Sequence, residues 1–155
     1  MIEQPQFSIV LYQPTIPPNT GTIGRLCVAT NCDLHIIKPM GFVINDRTLR
    51  RAGLDYWEFL DVYYHESYQD FLEKHPNRRM FYVTKFGKQL YTKFEYKKGD
   101  IFIFGSETKG LPKDILSENA DKTIQIPMFS ENIRSLNLAL SVGIVLYEAI
   151  RQVKN

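Results

Sequence analysis

The sequence predicts an α/β fold built on a mostly parallel sheet with helices on both faces. Two observations carry this expectation. Short apolar runs with β-branched or aromatic content recur along the chain, and helical patterns fall between them. The runs are nearly continuous rather than alternating, the pattern of strands covered on both sides.

FSIVLY (7–12) reads as the first strand, and the prolines between Gln13 and Pro18 end it. Asn19 is placed as the N-cap of a helix over Thr20 to Thr30, with Ile23, Leu26 and Cys27 on its apolar face. LHIIKP (34–39) is a second strand stopped by Pro39, RTLRRAG (47–53) a short basic helix, and LDVYYH (60–65) a third strand. Ser67 caps a helix that runs to about Lys74. MFYVTK (80–85) and IFIFG (101–105) are strands four and five. KDILSEN (113–119) is a short helix, KTIQIPM (122–128) a sixth strand, and residues 135 to 153 a long apolar helix with Ser135 at its start.

At 155 residues the chain suits a single domain, 1–155, with a full core. Hydrophobic residues at 44% and charged residues at 23% fit a globular protein and exclude a disordered one. The net charge of +2 neither demands nor excludes nucleic acid, so a phosphate-binding surface has to be a local patch. Cys27 and Cys32 match no common zinc spacing and read as two reduced, packed thiols. His35, His65 and His75 have no metal-ligand spacing and read as surface or half-buried histidines, so no metal is expected. The polar start Met1 to Gln6 and the absence of a long apolar run point to a cytoplasmic protein without a membrane partner.

In open parallel sheets, ligands bind beyond the carboxyl ends of the strands. Three loops stand there: PTIPPNTG, FGSETKG and PMFSENIRSLN. FGSETKG has two glycines at P-loop spacing, but Leu111 stands where that loop needs lysine. No dinucleotide fingerprint occurs, and Ser106 is misplaced for a nucleophile elbow. The remaining chemistry is a flat, uncharged group held by backbone at the strand end. Glu107 would then face a cationic ligand or help hold the loop.

These three stretches, in this order, resemble the SPOUT superfamily of RNA methyltransferases. Most closely they resemble the small single-domain TrmL or YibK-like group, which methylates the wobble-position ribose of tRNA. The resemblance runs from about Phe7 to Gln152 and includes "LHIIKPMGF", "LRRAGLDY" and "RSLNLALSVGIVLYEAIRQ". Two departures are visible: Ala139 and Leu140 where relatives carry serine and asparagine, and Ser106 and Lys109 where they often carry proline and arginine.

The resemblance implies a SPOUT-type sheet whose C-terminal segment forms a trefoil knot, with the cofactor-binding knot region at about 80–155. It implies S-adenosylmethionine as methyl donor, held by Val83, Gly105, Ile126 and Ser135, with a backbone contact from Leu136 and with Glu107 and Gly110 shaping the loop. Arg25 matches the catalytic arginine, and a guanidinium there suits orienting the ribose and stabilising developing oxyanion charge. Asn19 would position Arg25. Arg50 and Arg51 would contact phosphate of the anticodon stem-loop, or form a solvated basic face. Tyr147 would face RNA or a homodimer interface, although packing is the commoner fate of a tyrosine on an apolar helix. The reaction implied is 2'-O-methylation of nucleotide 34, a cytidine or modified uridine, in leucine tRNAs. Methylation of ribosomal RNA, and a non-catalytic RNA-binding module suggested by "GTIG" (21–24), are the alternatives.

Overall fold

Parallel strands that are apolar on both faces need cover on both faces, and this chain supplies it from segments far apart in sequence. The computed structural model describes residues 4–43 and 55–154. Its strands are β1 (Ser8–Tyr12), β2 (Asp33–Ile37), β3 (Val62–His65), β4 (Met80–Val83), β5 (Gln89–Leu90), β6 (Ile101–Phe104) and β7 (Thr123–Gln125). The helices are α1 (Pro17–Thr30), α2 (Tyr68–Lys74), α3 (Lys113–Glu118) and α4 (Leu138–Val153). The strands form one sheet in the order β3-β2-β1-β6-β4-β7-β5, and every pairing is parallel.

Alternation along the central strands divides the core into two layers. Ile9, Leu11, Phe102 and Phe104 face α1 and α4, where they meet Ile23, Cys27, Val142, Val145 and Leu146. Val10, Ile101 and Ile103 face the opposite layer, with Phe71 of α2 and Ile115 of α3. Both cysteines are free and buried.

One topological detail shapes the site. β4 and β5 run parallel, yet only residues 84–88 join them, and β7 lies between the two. The Thr84 amide donates to the Ile124 carbonyl, Lys88 N–H donates to Thr123 Oγ1, and Gln125 Nε2 donates to the Gly87 carbonyl. A late strand is thus held inside an earlier connection.

Several boundaries differ from expectation. α1 begins at Pro17, so Asn19 is inside the first turn and is not the N-cap; the cap position is Ile16, without a side-chain bond of its own. Pro suits the first helical position because its missing N–H would be unpaired there anyway. β2 ends at Ile37, before a cis Lys38-Pro39 bond. β4 stops at Val83 and β7 at Gln125, two residues before Pro127, which has no amide for a ladder. α4 begins at Leu138, and its N-cap is Asn137 rather than Ser135. Strand β5, of two exposed residues, was not expected from the pattern. Ser67 caps α2 as expected, accepting from the Asp70 amide. The helix expected over 47–53 lies outside the described residues, as do Arg50 and Arg51.

Two of the histidines also differ from expectation, while His75 is half-buried as expected. His35 and His65 are each only 3% exposed. Asp33 Oδ2 lies 3.1 Å from His35 Nε2, so that nitrogen carries the proton and donates. His35 Nδ1 then accepts from His65 Nε2 at 2.9 Å. The chain ends at His65 Nδ1, a buried atom with no partner among the described residues. Burial, then the neighbouring His35, Lys74 and His75, depress the His65 pKa to about 4. An unfolded histidine titrates near ~6.5, so the unfolded chain binds the extra proton first. This contribution to stability is therefore complete above about pH 6.5 and lost as pH falls toward about 4. The urea midpoint is expected to drop between pH 7 and pH 5, and to drop less in His65→Gln. Equal drops in both proteins would contradict it.

Candidate ligand site at the strand ends

The loops after β4, β6 and β7 and the start of α1 converge at the carboxyl edge of the sheet. They enclose a cavity of about 700 Å³, a size suited to a nucleoside-type ligand. Val83, Gly105, Ile126 and Ser135 all line it, as do Leu136 and the Glu107 loop. Val83 and Ile126 supply apolar wall.

The Glu107 loop is folded tightly on itself. The Gly110 amide donates to the Ser106 carbonyl at 3.0 Å, Lys109 N–H donates to Ser106 Oγ at 3.1 Å, and Gly110 has φ +67°. A Cβ on Gly105 would stand 2.2 Å from the Gly110 carbonyl carbon and 2.3 Å from the Leu111 nitrogen. Any side chain at Gly105 would therefore block the turn, and Gly105 lines the cavity as bare backbone.

Glu107 is bound within the protein. Oε1 accepts from the Thr15 amide and Oε2 from the Ile16 amide, each at 2.9 Å. The two residues that lead into α1 thus bind a carboxylate from a loop 91 residues away, placed at the positive end of the helix. Asn19 Nδ2 donates to the same carboxylate at 3.3 Å, and Asn137 Nδ2 donates to Asn19 Oδ1 at 3.1 Å. Asn137 Oδ1 meanwhile accepts from the Leu140 amide and caps α4. The three loops are locked together by Glu107, Asn19 and Asn137. Partial burial pushes the Glu107 pKa up, and the bonds from Thr15, Ile16 and Asn19 outweigh it, leaving the carboxyl below its ordinary range. Glu107→Gln is expected to cost about 1–2 kcal/mol in urea unfolding, because one amide donor loses its acceptor. An unchanged midpoint would show that water replaces the bond.

Arg25 is placed differently. It is exposed on α1 and is not among the side chains lining the cavity. Its guanidinium lies 5.8 Å from the Tyr56 ring centroid. The Tyr56 hydroxyl donates to the Gly21 carbonyl, one turn before Arg25, so the short 3₁₀ turn Asp55–Phe59 holds the helix beneath it. Tyr147 is 53% exposed on α4, so it is not packed within its own chain. Leu140 at 62% and Ile144 at 37% share that face and form an exposed apolar stripe with it.

Sequence reasoning missed Lys85, Phe86 and Arg134, which also line the cavity. Lys85 and Phe86 directly follow Val83 and Thr84 at a strand's carboxyl end, and that position was the available signal. Among the described residues, no group of three or more His, Cys, Asp or Glu is placed to hold a metal, and no helix is long and apolar enough to cross a membrane.

A parallel sheet with a backbone-lined cavity at a switch in strand order is the architecture of α/β proteins that bind nucleotide-like ligands. The chain belongs to the SpoU rRNA Methylase family, which it matches over residues 6–147. It is 50% identical over 146 residues to the tRNA (cytidine(34)-2'-O)-methyltransferase of Escherichia coli, covering 94% of this chain and 92% of that one. It superposes with TM-score 0.88 and 40% identity on a structure described as giving insights into the 2-OH methylation of C/U34 on tRNA, covering 95% of each chain. An AdoMet-bound rRNA methyltransferase from Sinorhizobium meliloti shares the fold at TM-score 0.83 and 24% identity, over 99% of this chain and 59% of that one.

Proposed function

We propose that this chain is a methyltransferase that uses S-adenosylmethionine to methylate the ribose 2'-hydroxyl of nucleotide 34, a cytidine or modified uridine, in tRNA. The observation that carries the reading is the cavity, assembled from the same three loops that carry the family resemblance. Near-full-length similarity to relatives bearing that activity in their names supports the substrate. One domain over 1–155, a cytoplasmic location and leucine tRNAs as the acceptors belong to the same reading.

S-adenosylmethionine, when bound, supplies an electrophilic methyl group on a sulfonium. The residues of the cavity fit such a donor. Val83 and Ile126 offer an apolar slot, Gly105 and Leu136 offer backbone groups, and Ser135 offers a hydroxyl. Glu107 holds the three loops in register. Arg25 orients the acceptor ribose and stabilises negative charge as it develops on the 2'-oxygen; it does not need to lose its proton. The chain's task is placement and exclusion of water.

The trefoil knot belongs to this proposal and is supported by β7 lying inside the connection between β4 and β5. A homodimer also belongs to it. Its support is the exposed stripe of Leu140, Ile144 and Tyr147, together with Arg25 standing outside the cavity of its own chain. A second copy on that face would bring another α1 toward the site. Arg50, Arg51 and Tyr147 complete the set of residues assigned to RNA or to the partner copy.

The test is transfer of labelled methyl from S-adenosylmethionine to bulk tRNA from cells lacking the gene, with the labelled nucleotide mapped. Label on the ribose of nucleotide 34 is expected. Label in ribosomal RNA alone, or cofactor binding without transfer to any RNA, would overturn the reading.

A further inference from the structure

The mouth of the cavity carries three cations against one carboxylate. Lys85, Lys109 and Arg134 all line it, and none forms a salt bridge among the described residues. The acid at the rim, Glu107, is already engaged by two backbone amides and Asn19. Charge at the mouth is therefore positive, although the whole chain is only +2.

An exposed aromatic ring stands among these cations. Phe86 lines the cavity and is 75% exposed. Lys85 Nζ lies 5.2 Å from the centroid of its ring and donates to the Arg134 carbonyl at 3.3 Å. That bond ties the 84–88 connection to the loop after β7, so the ring, Lys85 and Arg134 sit on two segments linked to each other, with Lys109 on the loop after β6. A solvent-facing phenylalanine loses hydrophobic stabilisation for nothing in the fold, whereas a nucleobase finds in it a flat apolar face.

We propose that this rim is the RNA-docking surface of the cavity: Phe86 stacks on a base at or next to the acceptor nucleotide, and Lys85, Lys109 and Arg134 hold the adjoining phosphates. The occupant is single-stranded RNA, because a base inside a duplex has no free face to offer. Charge complementarity selects a polyanion, and the ring selects one with exposed bases. This rests on the function proposed above and adds the residues that choose its substrate.

The experiment measures affinity for unmodified tRNA across a salt series, affinity for S-adenosylmethionine by calorimetry, and methyl transfer, in the full chain. The variants are Phe86→Leu, Phe86→Tyr and Lys85→Met combined with Arg134→Met. Phe86→Leu is expected to weaken RNA binding about tenfold, within the range of one base–aromatic stack, and Phe86→Tyr to restore it. The double charge variant is expected to flatten the dependence of log K on log salt by about 1–2 units. S-adenosylmethionine affinity is expected to stay within about twofold in all of them, a margin of less than half a kcal/mol by the tenfold-per-1.4 rule. Parallel loss of cofactor affinity would overturn the proposal, by assigning the rim to the donor. Unchanged RNA affinity and salt slope, with transfer intact in the unaltered chain, would overturn it alone. Absence of transfer by the unaltered chain would overturn the function as well.

Discussion

Arg25→Ala is expected to lower kcat for tRNA methylation by about 10²–10³ while leaving S-adenosylmethionine affinity unchanged. The size follows from removing a donor that stabilises charge only as it forms on the reacting oxygen. The separation of the two readouts follows from placement: Arg25 is exposed on α1 and outside the cavity lining, so no donor-binding wall is lost with it. Its loss removes the partner of the Tyr56 ring, a surface contact with little effect on stability. Arg25→Lys keeps the charge and loses the planar fork, and is expected to recover only part of the rate. Single-turnover rates beside calorimetric titration of the cofactor would check this. Equal loss of rate and cofactor affinity would place Arg25 in the donor site instead.

The second large effect is expected at Gly105. In Gly105→Ala the new methyl would overlap the backbone of Gly110 and Leu111, at 2.2 and 2.3 Å, and backbone cannot swing aside as a side-chain tip can. The loop has to reopen, and with it goes the Glu107 carboxylate from the Thr15 and Ile16 amides that lead into α1. A cost of about 3 kcal/mol or more is expected, together with loss of S-adenosylmethionine binding. Gly110→Ala is the contrasting case. Its φ of +67° strains any side chain, but nothing lies within 4 Å of the added atom. About 1–2 kcal/mol is expected there. Thermal melts and cofactor titration of the pair would separate steric overlap from backbone strain. Equal effects would mean that conformational freedom, rather than close approach, governs both glycines.

The architecture was readable in the sequence because its central strands are locally unambiguous. FSIVLY and IFIFG have no competing period, and both are buried along their strands. The helix starts were less readable because the caps are not local. Asn19 looks like a cap in the sequence, yet Glu107 binds the residues that lead into α1, and Asn19 instead joins Glu107 to Asn137 across 88 and 118 residues. No window along the chain contains that information. β5 escaped notice because Gln89 and Leu90 are ordered by pairing with β7 rather than by any pattern of their own. The buried Asp33–His35–His65 chain escaped for the same reason: Asp33 and His35 share β2, but His65 joins them only through the pairing of β2 with β3. The cavity-lining positions Val83, Gly105, Ile126 and Ser135 came from family resemblance, not from period or composition.

The placement of β7 inside the β4–β5 connection also orders the protein in time. The cavity draws its lining from Ile16 to Ser141, and one wall is the segment that follows β7. During synthesis the first hundred residues can pair β1, β2 and β3, yet they enclose no site. The cavity is complete only once the segment after β7 is in place. A chain that stops before β7 therefore lacks one wall of the cavity, and an assembled cavity reports that the late strand has taken its place between β4 and β5.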